Sequence, residues 1–140
     1  MFRKLFKSDN PLHGSGNMTT QDIVKKSAEK YYPDEDWEKI YAFLHEAIAS
    51  NQFRMFRHHN SLLLYHINGK NMEHMYLFTT DTAHDLVKAF KAFAIAAKTA
   101  GFEKVITVVL DPQVIRVARL AKLKVSDKSV AGGHHLEITL

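Results

Sequence analysis

Between residues 76 and 123 the spacing of apolar side chains changes three times, and this constrains the fold more than any other feature. YLFTT, from residue 76, is a short apolar run of strand type. In the next stretch Leu86, Phe90, Phe93, Ala94 and Ala97 fall on one side of a helix over residues 85–100. Gly101 closes it, since glycine accepts the left-handed conformation past a helix end. KVITVVL is a second strand, read as buried. Asp111-Pro112 then opens a second helix, with proline in its first turn and Val114, Ile115, Ala118, Leu120 and Leu123 on its apolar side. Strand, helix, strand, helix in that order predicts a parallel strand pair with a right-handed crossover. Val125 begins a further strand, residues 131–133 turn, and HHLEITL is the last strand.

The first half has a different pattern. Residues 19–32 form a short helix capped by Thr19 or Thr20, and Pro33 ends it. Asp34, Glu35 and Asp36 suit the positive end of a second helix. Its buried stripe is Trp37, Ile40, Tyr41, Leu44 and Ile48, with Asn51 as the stop. Three strands follow, FRMFRHH, LLLYHI and MEHMYLFTT. A turn at residues 59–61 joins the first two, and Asn68-Gly69, with positive φ, joins the second pair. Leu62, Leu63 and Leu64 in succession mark a strand covered on both faces. The expected architecture is mixed α/β, three antiparallel strands followed by a parallel strand–helix–strand unit, with helices on both faces.

At 140 residues the chain fits one domain, expected over residues 19–140. Residues 1–18 read as an N-terminal arm and linker. Phe2, Leu5 and Phe6 lie opposite Arg3, Lys4 and Lys7, which suits docking on another protein subunit. Cysteine is absent, which removes disulfides and thiolate chemistry and fits a reducing compartment. No apolar run approaches the roughly 20 residues of a membrane span, and no secretory signal is evident. The net charge of +4 is read as scattered lysines solvating helix faces, so nucleic acid is not the expected partner.

The element order resembles the GNAT fold of N-acetyltransferases. AKTAGFEKVITVVL resembles that family's central helix, closing glycine and fifth strand, DPQVIRVARLAKLKV its next helix, and HHLEITL its terminal strand. The compact size and the TTD junction also resemble small, degenerate GNAT-like proteins of short-tailed bacteriophages. In the family, a Gln/Arg-x-x-Gly-x-Gly/Ala turn after the fourth strand lets backbone amides approach the pyrophosphate of acetyl-CoA. The matching residues 79–85, TTDTAHD, contain neither glycine nor arginine. Asp81 and Asp85 would repel phosphate by about 1 kcal/mol each when solvated. Asp81 or Thr82 would instead cap the helix. The family's acid tyrosine aligns with Leu120, and the glycine of its Tyr-x-x-x-Gly-Phe ending with Lys124. Glu73 and His74 are the candidates for a catalytic base on the matching strand. If acetyl-CoA binds, the backbone of Thr82, Ala83, His84 and Asp85 would hold it.

Other chemistries are poorly served. Neither His58-His59 nor His134-His135 chelates by adjacency, because neighbours on a strand point to opposite faces. His66 and His74 could approach across a hairpin, but no metal site is expected. The Gly14-Ser15-Gly16 serine lies in the linker, not at a strand–helix turn. Arg54, Arg57, His58 and Phe56 do not sort into a stacking platform on one face. The expectation is therefore a non-catalytic GNAT-like protein without cofactor, with a structural or assembly role in a phage virion or the cytoplasm of an infected bacterium, docking through residues 2–6. The alternative is an active acetyl-CoA-dependent N-acetyltransferase with a divergent cofactor site.

Overall fold

The structure, a computed structural model, describes residues 18–140. The expected arm, Phe2, Arg3, Lys4, Leu5 and Phe6, and its linker lie outside the described residues. Four helices and six strands follow: α1 (Thr20–Tyr31), α2 (Trp37–Ala49), β1 (Arg54–His58), β2 (Ser61–Asn68), β3 (Asn71–Thr79), α3 (Ala83–Thr99), β4 (Lys104–Val109), α4 (Pro112–Leu120), β5 (Lys124–Val130) and β6 (Gly133–Thr139). The strands form one mixed sheet in the order β1-β2-β3-β4-β6-β5. Two-residue connections join β1 to β2 and β2 to β3, which permits only antiparallel pairing. Beyond α3, β4 pairs parallel to β3, as the alternating pattern requires. β6 runs antiparallel to both β4 and β5.

The chain divides into two compact units. The first holds the described residues up to Leu64 together with Tyr76–Asp81. Its core joins Ile23 and Val24 of α1, Tyr41 and Leu44 of α2, Leu62 and Leu64 of β2, and Phe78 of β3. Thr19 caps α1 and Asp36 caps α2, each by accepting a backbone N–H. Asn51, at φ +61°, closes α2, with the Gln52 N–H bonding back to the Ala47 carbonyl.

The second unit is Tyr65–Met75 with Thr82–Leu140. Leu86, Phe90 and Phe93 of α3, Val105 of β4, Ile115 and Ala118 of α4, and Leu136 of β6 are buried. Gly101 (φ +95°) ends α3 with the Phe102 N–H bonded to the Ala97 carbonyl, a closing turn that the sequence predicts. Lys122 (φ +64°) ends α4 in the same way without a glycine. Gly133 is required by a close approach, because a Cβ there would stand 2.5 Å from the Val109 carbonyl oxygen.

Two local expectations change. The β2–β3 turn is Gly69-Lys70, and only Gly69 has positive φ (61°), while Asn68 stays in the strand. β4 is not buried throughout. Val105 and Thr107 point inward, but Val108 is 53% exposed and Leu110 follows it outward. An unbroken apolar run does not reveal whether both faces have a partner.

Candidate functional site

Asp81, at the end of the first unit, is the centre of a dense polar network. Its side chain is only 1% exposed. It takes the His59 Nδ1, the Asn60 N–H at 3.1 Å and the Ser61 hydroxyl at 2.6 Å. Ser61 also lies 2.7 Å from the Thr79 hydroxyl, which accepts the Asp81 N–H at 2.9 Å. His59 reaches this carboxylate from a left-handed turn (φ +51°), with Arg57 donating to the His59 carbonyl at 2.9 Å and to the Met18 carbonyl. The Thr79 N–H is held by Ser27 of α1 at 3.1 Å. Donors supplied by the protein replace the water that a buried carboxylate loses. The result is a locked turn that holds a half-exposed imidazole against a buried carboxylate. From the sequence, either Asp81 or Thr82 is expected to cap the helix, and His59 to lie in a plain turn; the cap is Thr82. The His59–Asp81 partnership has no local signature, because the two are 22 positions apart.

The α3 N-terminus belongs to the second unit. Thr82 is its cap, with φ −67° and ψ 163°, accepting the Asp85 N–H at 3.3 Å. The Thr82 hydroxyl also donates to the Asp85 carboxylate at 3.3 Å. The backbone N–H groups of Ala83 and His84 have no partner among the described residues, and both residues are exposed. A 17-residue helix thus presents two free amides at its positive end. At residue 83 the only side chain is a methyl group.

The β3–β4 ladder supplies a second irregularity. Its register runs Asn71–Lys104, Met72–Val105 and Glu73–Ile106. His74 then adopts φ +52°, a strained conformation for a non-glycine residue. The Met75 N–H bonds to the Thr107 hydroxyl at 3.1 Å. A side chain has taken the place of a ladder carbonyl. His74 is exposed, and its ring centroid lies 6.3 Å from that of His66, so the two rings expected to approach do so. Glu73 accepts from the Asn68 amide at 3.2 Å. Leu120, expected from the sequence to align with the acid tyrosine, is the exposed last residue of α4 and offers no proton.

No model of a known protein family matches the sequence, and no curated protein resembles it by sequence. Solved structures do resemble it in fold. The microcin C7 self-immunity acetyltransferase MccE, in complex with acetyl-CoA and AMP, aligns with a TM-score of 0.55 at 7% identity, covering 85% of this chain and 82% of that one. A spermidine N-acetyltransferase chimera of Vibrio cholerae SpeG and hSSAT gives 0.57 at 11% identity, covering 86% and 87%. The Vibrio cholerae spermidine N-acetyltransferase with CoA and spermine gives 0.51 at 12% identity, covering 99% and 88%. The chain therefore has the GNAT acetyltransferase fold. These similarities concern fold; they do not extend to a bacteriophage relative or a virion role.

The expectation of no cofactor is corrected by these findings, because two of the three structures contain acetyl-CoA or CoA. The physical reason lies in the junction. From sequence alone, residues 79–85 are a run of crowding and repelling side chains. In the structure the Asp81 carboxylate is consumed by its own network, and the Ala83 and His84 amides remain open. Missing glycines alter the turn without closing the helix end.

Proposed function

We propose that this chain is an acyl-CoA-dependent N-acyltransferase with a divergent cofactor site. The observation that carries this reading is the combination, within one unit, of the α3 N-terminus with two unpartnered amides and the β3–β4 pair interrupted at His74. Two of the three GNAT-fold structures above hold acetyl-CoA or CoA. Here the Ala83 and His84 N–H groups would take the pyrophosphate, as helix N-termini take phosphate generally. The exposed Val108 of β4 would meet the apolar part of the pantetheine arm. The cofactor supplies an activated acyl group; the protein must orient it and manage one proton. Transfer to an amine forms an amide bond, breaks the carbon–sulfur bond and moves the amine proton to a base, while the thiolate leaves as free CoA and takes up a proton from water. His74, exposed at the break in the β3–β4 ladder, is the residue proposed for that proton, with Glu73 held back by Asn68.

The test is isothermal titration with acetyl-CoA, using the native chain and Ala83→Pro. Proline suits the first helical position and the extended conformation of Thr82, so it removes one amide donor without breaking the helix. Saturable binding by the native chain, weakened about ten- to a hundredfold in Ala83→Pro, supports the reading. Failure of the native chain to bind overturns it.

One observation favours a second reading. In the sequence resemblance to the GNAT family, Leu120 aligns with the acid tyrosine. A GNAT-fold protein that binds the carrier without transferring the acyl group would fit that replacement. It could then serve an assembly role, phage or otherwise, with residues 2–6 as the docking arm. Thiol release on addition of amine acceptors separates the two, because only the enzyme produces it.

A further inference from the structure

The net charge is not spread evenly along the chain. Residues 112–136 carry Arg116, Arg119, Lys122, Lys124 and Lys128 against the single acid Asp127, an excess of four, which equals the +4 of the whole chain. The rest of the sequence is therefore balanced. The structure gathers this excess around α4 and β5. Pro112, Ile115 and Leu120 of α4 give an open groove of about 360 Å³ an apolar side, with Arg116, Arg119, Asp127 and His134 as its polar groups. The one carboxylate there is occupied by His134, 3.1 Å away. Arg116 and Arg119 are exposed and have no carboxylate partner among the described residues.

β5 is also the last strand of the sheet. Among the described residues it pairs on one side only, with β6. An open edge offers a row of backbone donors and acceptors to an added strand. A second copy of this chain is a poor occupant. Antiparallel pairing of β5 with itself centred on Ser126 sets Lys124 against Lys128, and centred on Asp127 it sets like acids together. A nucleic acid would find positive charge, but residues 112–136 contain no Phe, Tyr or Trp on which a base could stack, and of the two histidines there His134 is held by Asp127.

We infer that the α4–β5 edge is a docking site for an extended acidic polypeptide segment carrying alternate apolar residues, which adds as a strand to β5. Side chains on a strand alternate between its faces. The apolar ones then turn to the α4 side, against Ile115 and Leu120, and the acidic ones to the face of Lys124 and Lys128. Acids flanking the segment meet Arg116 and Arg119. The site is separate from the α3 N-terminus and does not depend on acyl transfer.

The test uses the full chain and a fluorescent, end-capped peptide, Asp-Glu-Leu-Glu-Leu-Glu-Leu-Glu-Asp, read by anisotropy. Micromolar binding is expected. Lys124→Glu/Lys128→Glu and Arg116→Glu/Arg119→Glu should each weaken it at least about tenfold while leaving the unfolding midpoint in place, since these side chains are exposed. Of two peptides N-methylated at alternate residues, one should lose binding, because strand addition uses every second peptide amide. Hydrogen exchange should slow in residues 124–130. Binding weaker than about 1 mM overturns the proposal. Equal binding of polyglutamate or of both methylated peptides reduces the surface to a charge patch and overturns the strand. Tighter binding of duplex DNA assigns the edge to nucleic acid and overturns it as well.

Discussion

Two histidine–aspartate pairs, one in each unit, have the same chemistry and opposite settings. His59–Asp81 sets a carboxylate that is 1% exposed against an imidazole that is 41% exposed, and two further groups donate to the carboxylate. His134–Asp127 lies at 3.1 Å with both side chains partly open, 28% and 24%, and has a surface groove beside it. A buried carboxylate has lost its water, so each protein donor is indispensable. An exposed one can exchange its partner for solvent at little cost. The first pair is thus structural by necessity. The second is free to serve the surface, where His134 lies against the one carboxylate that lines the groove.

Mutation should separate the pairs sharply. Asp81→Ala leaves the Ser61 hydroxyl, the Asn60 N–H and the His59 ring without their acceptor. We expect a loss of about 3–5 kcal/mol in urea unfolding, the range for a broken buried pair. A loss below about 1 kcal/mol would mean that water reaches the site and that the two pairs are alike. Ser61→Ala removes one of the donors to Asp81 and the contact with Thr79 from a fully buried position, for about 1–3 kcal/mol. Thr82→Ala tests the boundary between the two regimes. It should cost about 1 kcal/mol, the usual value of a helix cap, and leave the Ala83 and His84 amides in place. Asp127→Ala should change stability by less than about 0.5 kcal/mol. Double-mutant cycles sharpen the contrast further. Coupling of His59 to Asp81 should exceed about 1 kcal/mol, while that of His134 to Asp127 should stay below about 0.5 kcal/mol.

Much of the fold is legible locally. The alternation after residue 76 leads to the parallel β3–β4 pair, and Leu62 to Leu64 are all buried as their succession implies. Asn51 and Gly101 end helices where the sequence places their ends. The site is less legible. His74 is named as a candidate from its strand position, but its positive φ leaves no trace in MEHMY. Asp81 has the composition of a helix cap and the role of a buried acceptor. The charge excess after residue 112 is visible in the sequence, yet the lysines look scattered until α4 and β5 come together.

The sequence by itself determined the order and type of the elements and several of their ends, and with them the GNAT-like arrangement, because periodicity, caps and turn residues act over a few positions. Only the tertiary structure decided which carboxylate is buried, which helix amides stay open and which strand lies at the edge. Those outcomes depend on side chains tens of residues apart competing for the same donors and on how much water remains between them.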